Sequence, residues 1–278
     1  MPLAPTGDII GPASAGDRGV GAFNVVQIEH AEAIVAGAER AGLPVILQIS
    51  ENTVRYHGAL APIAAASLSL ADAASVPVAV HLDHAETTAL VHEAVALGFS
   101  SVMFDASRLP YGANVAATRA ITDHCHRAGV WVEAELGEVG GKDGAHAPGV
   151  RTDPGEARAF AAATAVDALA VAVGSSHAML TRDAVLDLDL ITRLRESLGI
   201  PLVLHGSSGV GDEDLVKAVA AGMTKVNIST HLNQLFTRTI RERLAEAPGV
   251  ADPRRYLGPA REAVAAEVAR LLGLLAGR

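Results

Sequence analysis

Short apolar and β-branched runs recur along the chain. VGAFNVV (20–26), PVILQI (44–49), PVAVHL (77–82) and SVMFD (101–105) occupy the first half. VWVEAE (130–135), DALAVAV (167–173), PLVLH (201–205) and KVNIS (225–229) follow. Between them lie Ala-rich stretches with apolar residues at helical spacing, such as IEHAEAIVAGAERAG and DEDLVKAVAAG. Several end on a glycine (Gly42, Gly98, Gly129, Gly199, Gly222), the residue that most easily takes the left-handed turn closing a helix. Strands alternating with helices predict parallel βαβ units, and near-continuous apolar strands predict a sheet covered on both faces. Eight units predict an α/β fold, a closed (β/α)8 TIM barrel. A doubly wound open sheet is the alternative, but no GxGxxG follows the first strand.

Residues 1–278 read as a single barrel domain with a C-terminal helical extension from about 249, where DPRRYLGPA precedes EAVAAEVARLLGLL. That tail is suited to capping the barrel or to contact between subunits. Residues 136–156, LGEVGGKDGAHAPGVRTDPGE, are too long for an ordinary strand-to-helix connection, which predicts a lid or binding element.

Composition narrows the function classes. Net charge is −9, with 31 acidic against 22 basic residues, so no basic footprint points to nucleic acid. The single cysteine, Cys125, excludes an internal disulfide and suggests a reducing compartment. His124 and His126 flank it, and the trio reads as a helix surface rather than a ligand set. The first residues lack the basic and apolar regions of a signal peptide, and no apolar run reaches the ~18 residues of a membrane span. A soluble, cytoplasmic protein without membrane contact is expected.

In barrels of this kind functional groups sit at the C-terminal ends of strands. Reading each strand to its end gives Asn24, Ser50, Asp83 with His84, and Asp105 for the first four. Glu133 and Glu135 end the fifth, and GSSH with His177 follows the sixth. His205 ends the seventh, and Asn227, Ser229 and Thr230 mark the eighth. His84, His177 and His205 thus gather on one rim, and three imidazoles with an open position suit a catalytic Zn²⁺. The turn HGSSGVG after strand 7 carries Gly206, Ser207 and Ser208, whose backbone N–H groups can surround a phosphate.

These motifs, GAFNVV, VHLDH, SVMFDAS, VEAELGEVGG, GSSHA, LVLHGSSG and KVNIST, resemble in order those of the class II, metal-dependent ketose-bisphosphate aldolases over roughly residues 20–235. The resemblance implies that His84, His177 and His205 bind zinc, that Asp105 and Glu135 lie near the metal or hold an alternative metal position, and that Asp83 moves the proton at the C4 oxygen. It implies that Gly206, Ser207, Ser208 and Asn227, Ser229, Thr230 hold dihydroxyacetone phosphate, with Asn24 and Ser50 also touching substrate. Arg254 of DPRRY matches an arginine that reaches the other phosphate from a neighbouring subunit, which implies a homodimer or homotetramer. A monovalent cation, Na⁺ or K⁺, is a further cofactor that the resemblance allows.

Cleaving the C3–C4 bond leaves an enediolate whose charge a metal can stabilise, while a carboxylate takes the hydroxyl proton and another group protonates carbon. The lid glutamate of the family aligns with Asp143, a shorter carboxylate, and the usual HG is His177-Ala178. Ser229 leans towards the tagatose-type over the fructose-type bisphosphate. An aldolase for another phosphorylated ketose or keto-acid, of the inositol-catabolism type, is an alternative, as is a non-catalytic aldolase-like partner subunit. A Schiff-base aldolase would need a buried lysine, and only Lys225 is placed for it.

Overall fold

A computed structural model describes residues 3–136, 151–177 and 179–278. The chain opens with α1 (Thr6–Ala15), β1 (Val20–Asn24), α2 (Ile28–Ala41), β2 (Val45–Ser50), α3 (Glu51–His57) and α4 (Ala61–Ala73). It continues through β3 (Val78–Ala85), α5 (Thr88–Leu97), β4 (Ser101–Phe104), α6 (Tyr111–Arg127), β5 (Trp131–Glu135) and α7 (Pro154–Thr164). The last units are β6 (Ala168–Ala170), α8 (Leu188–Leu198), β7 (Leu202–Leu204), α9 (Asp212–Ala221), β8 (Met223–Ile228), α10 (Thr230–Glu246) and α11 (Arg254–Leu275).

Each strand pairs in parallel with the next, and β8 closes on β1 through Ala22 and Asn227, giving the expected eight-stranded barrel. Gly42, Gly98 and Gly199 take φ of 61°, 92° and 63° just after α2, α5 and α8, so the predicted helix stops are real. Outward residues such as Phe23, Leu47, Val80 and Val132 pack under the helices in one large core. The lumen is layered instead. Its lower end is apolar, with Val20, Ala22, Ile46 and Ala79 against Ile9 and Ile10 of α1. Its upper end buries Gln48, His81, Glu133, His205 and Lys225. A polar upper layer aimed at one rim is what turns the fold into a site.

Two local features depart from the sequence reading, and one helix goes unmentioned in it. TGDIIGPASA, rich in Gly and Pro, nonetheless forms α1, because Ile9 and Ile10 plug the barrel floor and Thr6 Oγ1 donates to Ser101 Oγ at 2.6 Å. Cys125 is not on a helix surface: it is fully buried, and burial pushes its thiol up to about 11. Strand β3 runs on to Ala85, past the predicted end. At the C-terminus, α11 packs on α2 and α10, with Gly37 facing Ala265 and Val268. Among the described residues, no helix is long and apolar enough to cross a membrane.

Candidate active site

The extension of β3 decides the geometry of HLDHA. In a regular strand Asp83 and His84 would point to opposite faces. Between Leu82 and Ala85 the pairing with β4 slips by one residue, and His84 takes a φ of +50°. This bulge turns His84 to the same side as Asp83, so both line one cavity, while Ala85 returns to the outer core. Left-handed backbone at a non-glycine residue is costly, and such positions cluster at functional sites.

Four residues, His84, Glu135, His177 and His205, each offer a ligand atom within 4.8 Å of the others. They arrive from β3, β5, the turn after β6 and the end of β7. The rings of His84 and His205 are 4.7 Å apart, and those of His84 and His177 5.0 Å. Asp105 stands outside this cluster: it takes the Nδ1 of His84 at 2.8 Å and accepts from Ser107 Oγ at 2.6 Å. His205 Nε2 lies 3.0 Å from Glu133 Oε1, and its Nδ1 lies 3.2 Å from Glu135 Oε2. Two of the imidazoles are therefore oriented by carboxylates through the nitrogen remote from the cluster, as metal-ligating histidines generally are. Three imidazoles and a carboxylate fit a zinc site.

Asp83 sits beside this cluster. Asn24 Nδ2 donates to Asp83 Oδ2 at 2.9 Å, and Gln48 Nε2 donates to Asn24 Oδ1 at 2.8 Å. Burial opposes charge on Asp83, but the fields of His84, Lys225 and His205 outweigh it and hold the carboxyl at about 2. It is therefore ionised at neutral pH and can accept a proton. Asp83 Oδ1 and Asn227 Oδ1 are buried without a hydrogen-bond partner among the described residues. Two unsatisfied acceptors in one cavity call for a ligand carrying hydroxyl donors.

The cavity, about 300 Å³, runs between two polar ends. At one end Gly206 takes a φ of +66° with its backbone against Ser176, too close for any side chain. Ser208 Oγ accepts from the backbone N–H groups of Ser229 and His231 at 3.2 and 3.1 Å, tying this turn to the N-terminus of α10. A helix N-terminus beside a glycine turn is a natural anion site. Ser207 is directed elsewhere, since its hydroxyl donates to the Leu204 carbonyl. At the other end Ser50 caps α3 by accepting from the Thr53 N–H, and it faces the cavity. Arg55, Glu86 and Arg108 also line this end and were not anticipated. Arg254 does not line the cavity of its own chain; it is exposed and paired with Asp252 at 2.8 Å. Asp143, Lys142 and Ala178 lie outside the described residues.

Residues 4–277 match the model of the family described as fructose-bisphosphate aldolase class-II. The chain belongs to the class II fructose-bisphosphate aldolase family. It is 39% identical over 272 residues to the fructose-bisphosphate aldolase of Geobacillus stearothermophilus, covering 96% of this chain and 95% of that one. The fructose-bisphosphate aldolase of Staphylococcus aureus strain Mu50 is 37% identical, with 95% and 94% covered. Among solved structures, the YdjI aldolase of Escherichia coli K12 superposes with a TM-score of 0.86 at 30% identity, covering 98% of this chain and 97% of that one. Members of the class II aldolase family are carbon–carbon lyases, and this chain is an enzyme of that type.

Proposed function

We propose that the protein is a zinc-dependent aldolase. It cleaves fructose 1,6-bisphosphate, or its tagatose epimer, reversibly to dihydroxyacetone phosphate and glyceraldehyde 3-phosphate. The observation that carries this reading is the bulge that sets an ionised Asp83 beside His84 in one cavity with His177, the cluster being completed by Glu135 and His205. His84, His177 and His205 would hold the metal, with Glu135 at hand as a further ligand. Zinc there would polarise the ketose carbonyl and stabilise the enediolate charge.

The protein's own groups do the rest. Asp83, steadied by Asn24 from the Gln48 side, takes the proton from the C4 hydroxyl. Gly206, Ser208 and the N-terminus of α10 hold the phosphate of the dihydroxyacetone half, with Ser229 and Thr230. Asn227 Oδ1 accepts a substrate hydroxyl. The carbon proton is assigned to Asp143 from the sequence alone, and Arg254 to a neighbouring subunit's site.

Metal content of the purified protein, measured beside an Asp83→Ala variant, tests the reading. About one zinc per chain, loss of cleavage on chelation with recovery on adding zinc, and an inactive variant that keeps its metal are expected. Undiminished turnover in the variant, or cleavage that survives metal removal, would overturn it.

A further inference from the structure

The turn after β7 and the first residues of α10 come from different units of the barrel. An anion held between their backbone N–H groups needs the two segments at a fixed separation. Gly206 and Ser208 line the cavity from one side of this gap, Ser229 and Thr230 from the other. Two bonds to the Ser208 hydroxyl, from the N–H groups of Ser229 and His231 at 3.2 and 3.1 Å, join them directly. Both are at the long end of the N–H···O range.

A chain of charged groups outside the cavity supplies a second brace. His231 gives its N–H to Ser208, and its ring Nε2 meets Glu267 Oε1 of α11 at 2.7 Å. Arg270, three residues further along α11, grips Glu267 through Nε to Oε2 at 2.9 Å and Nη2 to Oε1 at 2.8 Å. The same guanidinium donates from Nη1 to Oδ2 of Asp212, the first residue of α9, at 2.5 Å. Asp212 Oδ1 accepts from Arg182 Nη2 at 2.6 Å, and Arg182 Nε donates to the Val210 carbonyl at 2.9 Å. The path leaves the turn at Ser208 and returns to it at Val210.

Every charged group along this path has a partner on two sides, and it is in networks rather than isolated pairs that surface charges hold geometry. Burial opposes charge on Glu267, but Arg270 and His231 outweigh it and hold the carboxyl at about 2. Other ion pairs of α11 lead elsewhere. Arg40 with Glu262 at 2.6 Å and Arg261 with Glu32 at 2.5 Å join it to α2, and none of these four residues lines the cavity.

We infer that Glu267 and Arg270 are positioning residues for the dihydroxyacetone phosphate half of the substrate. Through His231 and Asp212 they set the separation of the turn 206–211 from the N-terminus of α10, and with it the fit of the phosphate. Neither lines the cavity itself. This rests on the aldolase reading above and deepens it, because it gives the C-terminal helix a part in substrate binding.

The test uses the intact zinc-loaded protein in the condensation direction, with dihydroxyacetone phosphate and glyceraldehyde 3-phosphate varied in turn. Glu267→Ala and Arg270→Gln are each expected to raise KM for dihydroxyacetone phosphate about tenfold, the loss that loosened positioning brings. KM for glyceraldehyde 3-phosphate and zinc content should stay at the wild-type values. Arg40→Gln, which breaks another ion pair of the same helix, should leave both KM values unchanged. Calorimetric titration with dihydroxyacetone phosphate alone adds a readout independent of turnover: affinity should fall in the two α11 variants and hold in Arg40→Gln. An unchanged affinity in the α11 variants, an equal rise in both KM values, or a matching loss in Arg40→Gln would overturn the inference. So would a wild-type protein that binds no dihydroxyacetone phosphate. If the wild-type protein bound it but condensed no aldehyde, the aldolase reading would fail, while the titration would still decide whether α11 positions the turn.

Discussion

Lys225 Nζ lies 2.8 Å from Glu133 Oε2, and both side chains are entirely buried in the barrel lumen. The other oxygen of Glu133 meets His205 Nε2 at 3.0 Å, so the lysine secures the carboxylate that orients a candidate metal ligand. Glu133 is held well below the usual carboxylate range: burial opposes its charge, and Lys225 and the neighbouring histidines outweigh that. The one lysine that a Schiff-base mechanism could have used is therefore an ion-pair partner beneath the site, not a nucleophile lining it.

Removing that partner leaves a buried carboxylate uncompensated. Lys225→Met is expected to lose about 3–5 kcal/mol of stability, read by denaturant unfolding. Adding Glu133→Gln to it should recover most of the loss, because the stranded charge is gone. Borohydride with substrate should trap no adduct in the wild-type protein; a trapped lysine would reverse the assignment.

The chain Gln48 to Asn24 to Asp83 predicts a graded loss of rate. Asn24→Ala removes a hydrogen bond to a charged group, a change on the order of 1.5–3 kcal/mol, or roughly ten- to a hundredfold in kcat. Gln48→Leu leaves Asn24 present but free to turn, and a smaller fall is expected. Zinc content should be unchanged in both, since neither residue belongs to the ligand cluster. Metal loss in parallel with activity would show that they support the fold of the site instead.

Gly37 tests the docking of α11. A Cβ there would lie 2.6 Å from the Ala265 carbonyl oxygen and 2.7 Å from Val268 Cβ, both on the facing helix. Gly37→Ala should cost about 1–3 kcal/mol by forcing α2 and α11 apart. Gly11→Ala in α1, where nothing lies within 4 Å of the new methyl, should instead stabilise by about 0.4–1 kcal/mol. Equal effects of the two substitutions would mean that the α2–α11 contact is looser than the geometry implies.

The rim residues were legible because each apolar run ends where its polar residue begins, and strand ends converge in a closed barrel. The orientation of His84 was not legible, since strict alternation would have turned it away from Asp83. Nor was the Lys225–Glu133–His205 chain, which runs inside the lumen: Lys225 pairs in register with Val20 at the barrel floor, and its long side chain spans the layers to reach Glu133. Arg55 and Arg108 lie past their strand ends, on a short helix and a loop, where no periodicity marks a cavity-facing position. The contact of the Ser207 hydroxyl with the Leu204 carbonyl was not legible either, and it leaves the reading of this turn to its backbone N–H groups.

His30 gives a pH prediction at a residue that belongs neither to the ligand cluster nor to the cavity lining. Its ring is buried on α2, 4.7 Å from that of Phe236, and burial lowers its pKa to about 4 against an opposing interaction with Asn233. The unfolded chain therefore takes up this proton below its ordinary value of about 6.5, while the folded chain does not until about 4. Stability should fall as pH drops from 6.5 to 4, by up to about 3 kcal/mol from this residue, and level off below that. His30→Leu, which keeps the apolar contact with Phe236, should remove this slope. Unfolding free energies of the two proteins measured across that range check it. Parallel curves would mean that His30 is protonated within the folded barrel.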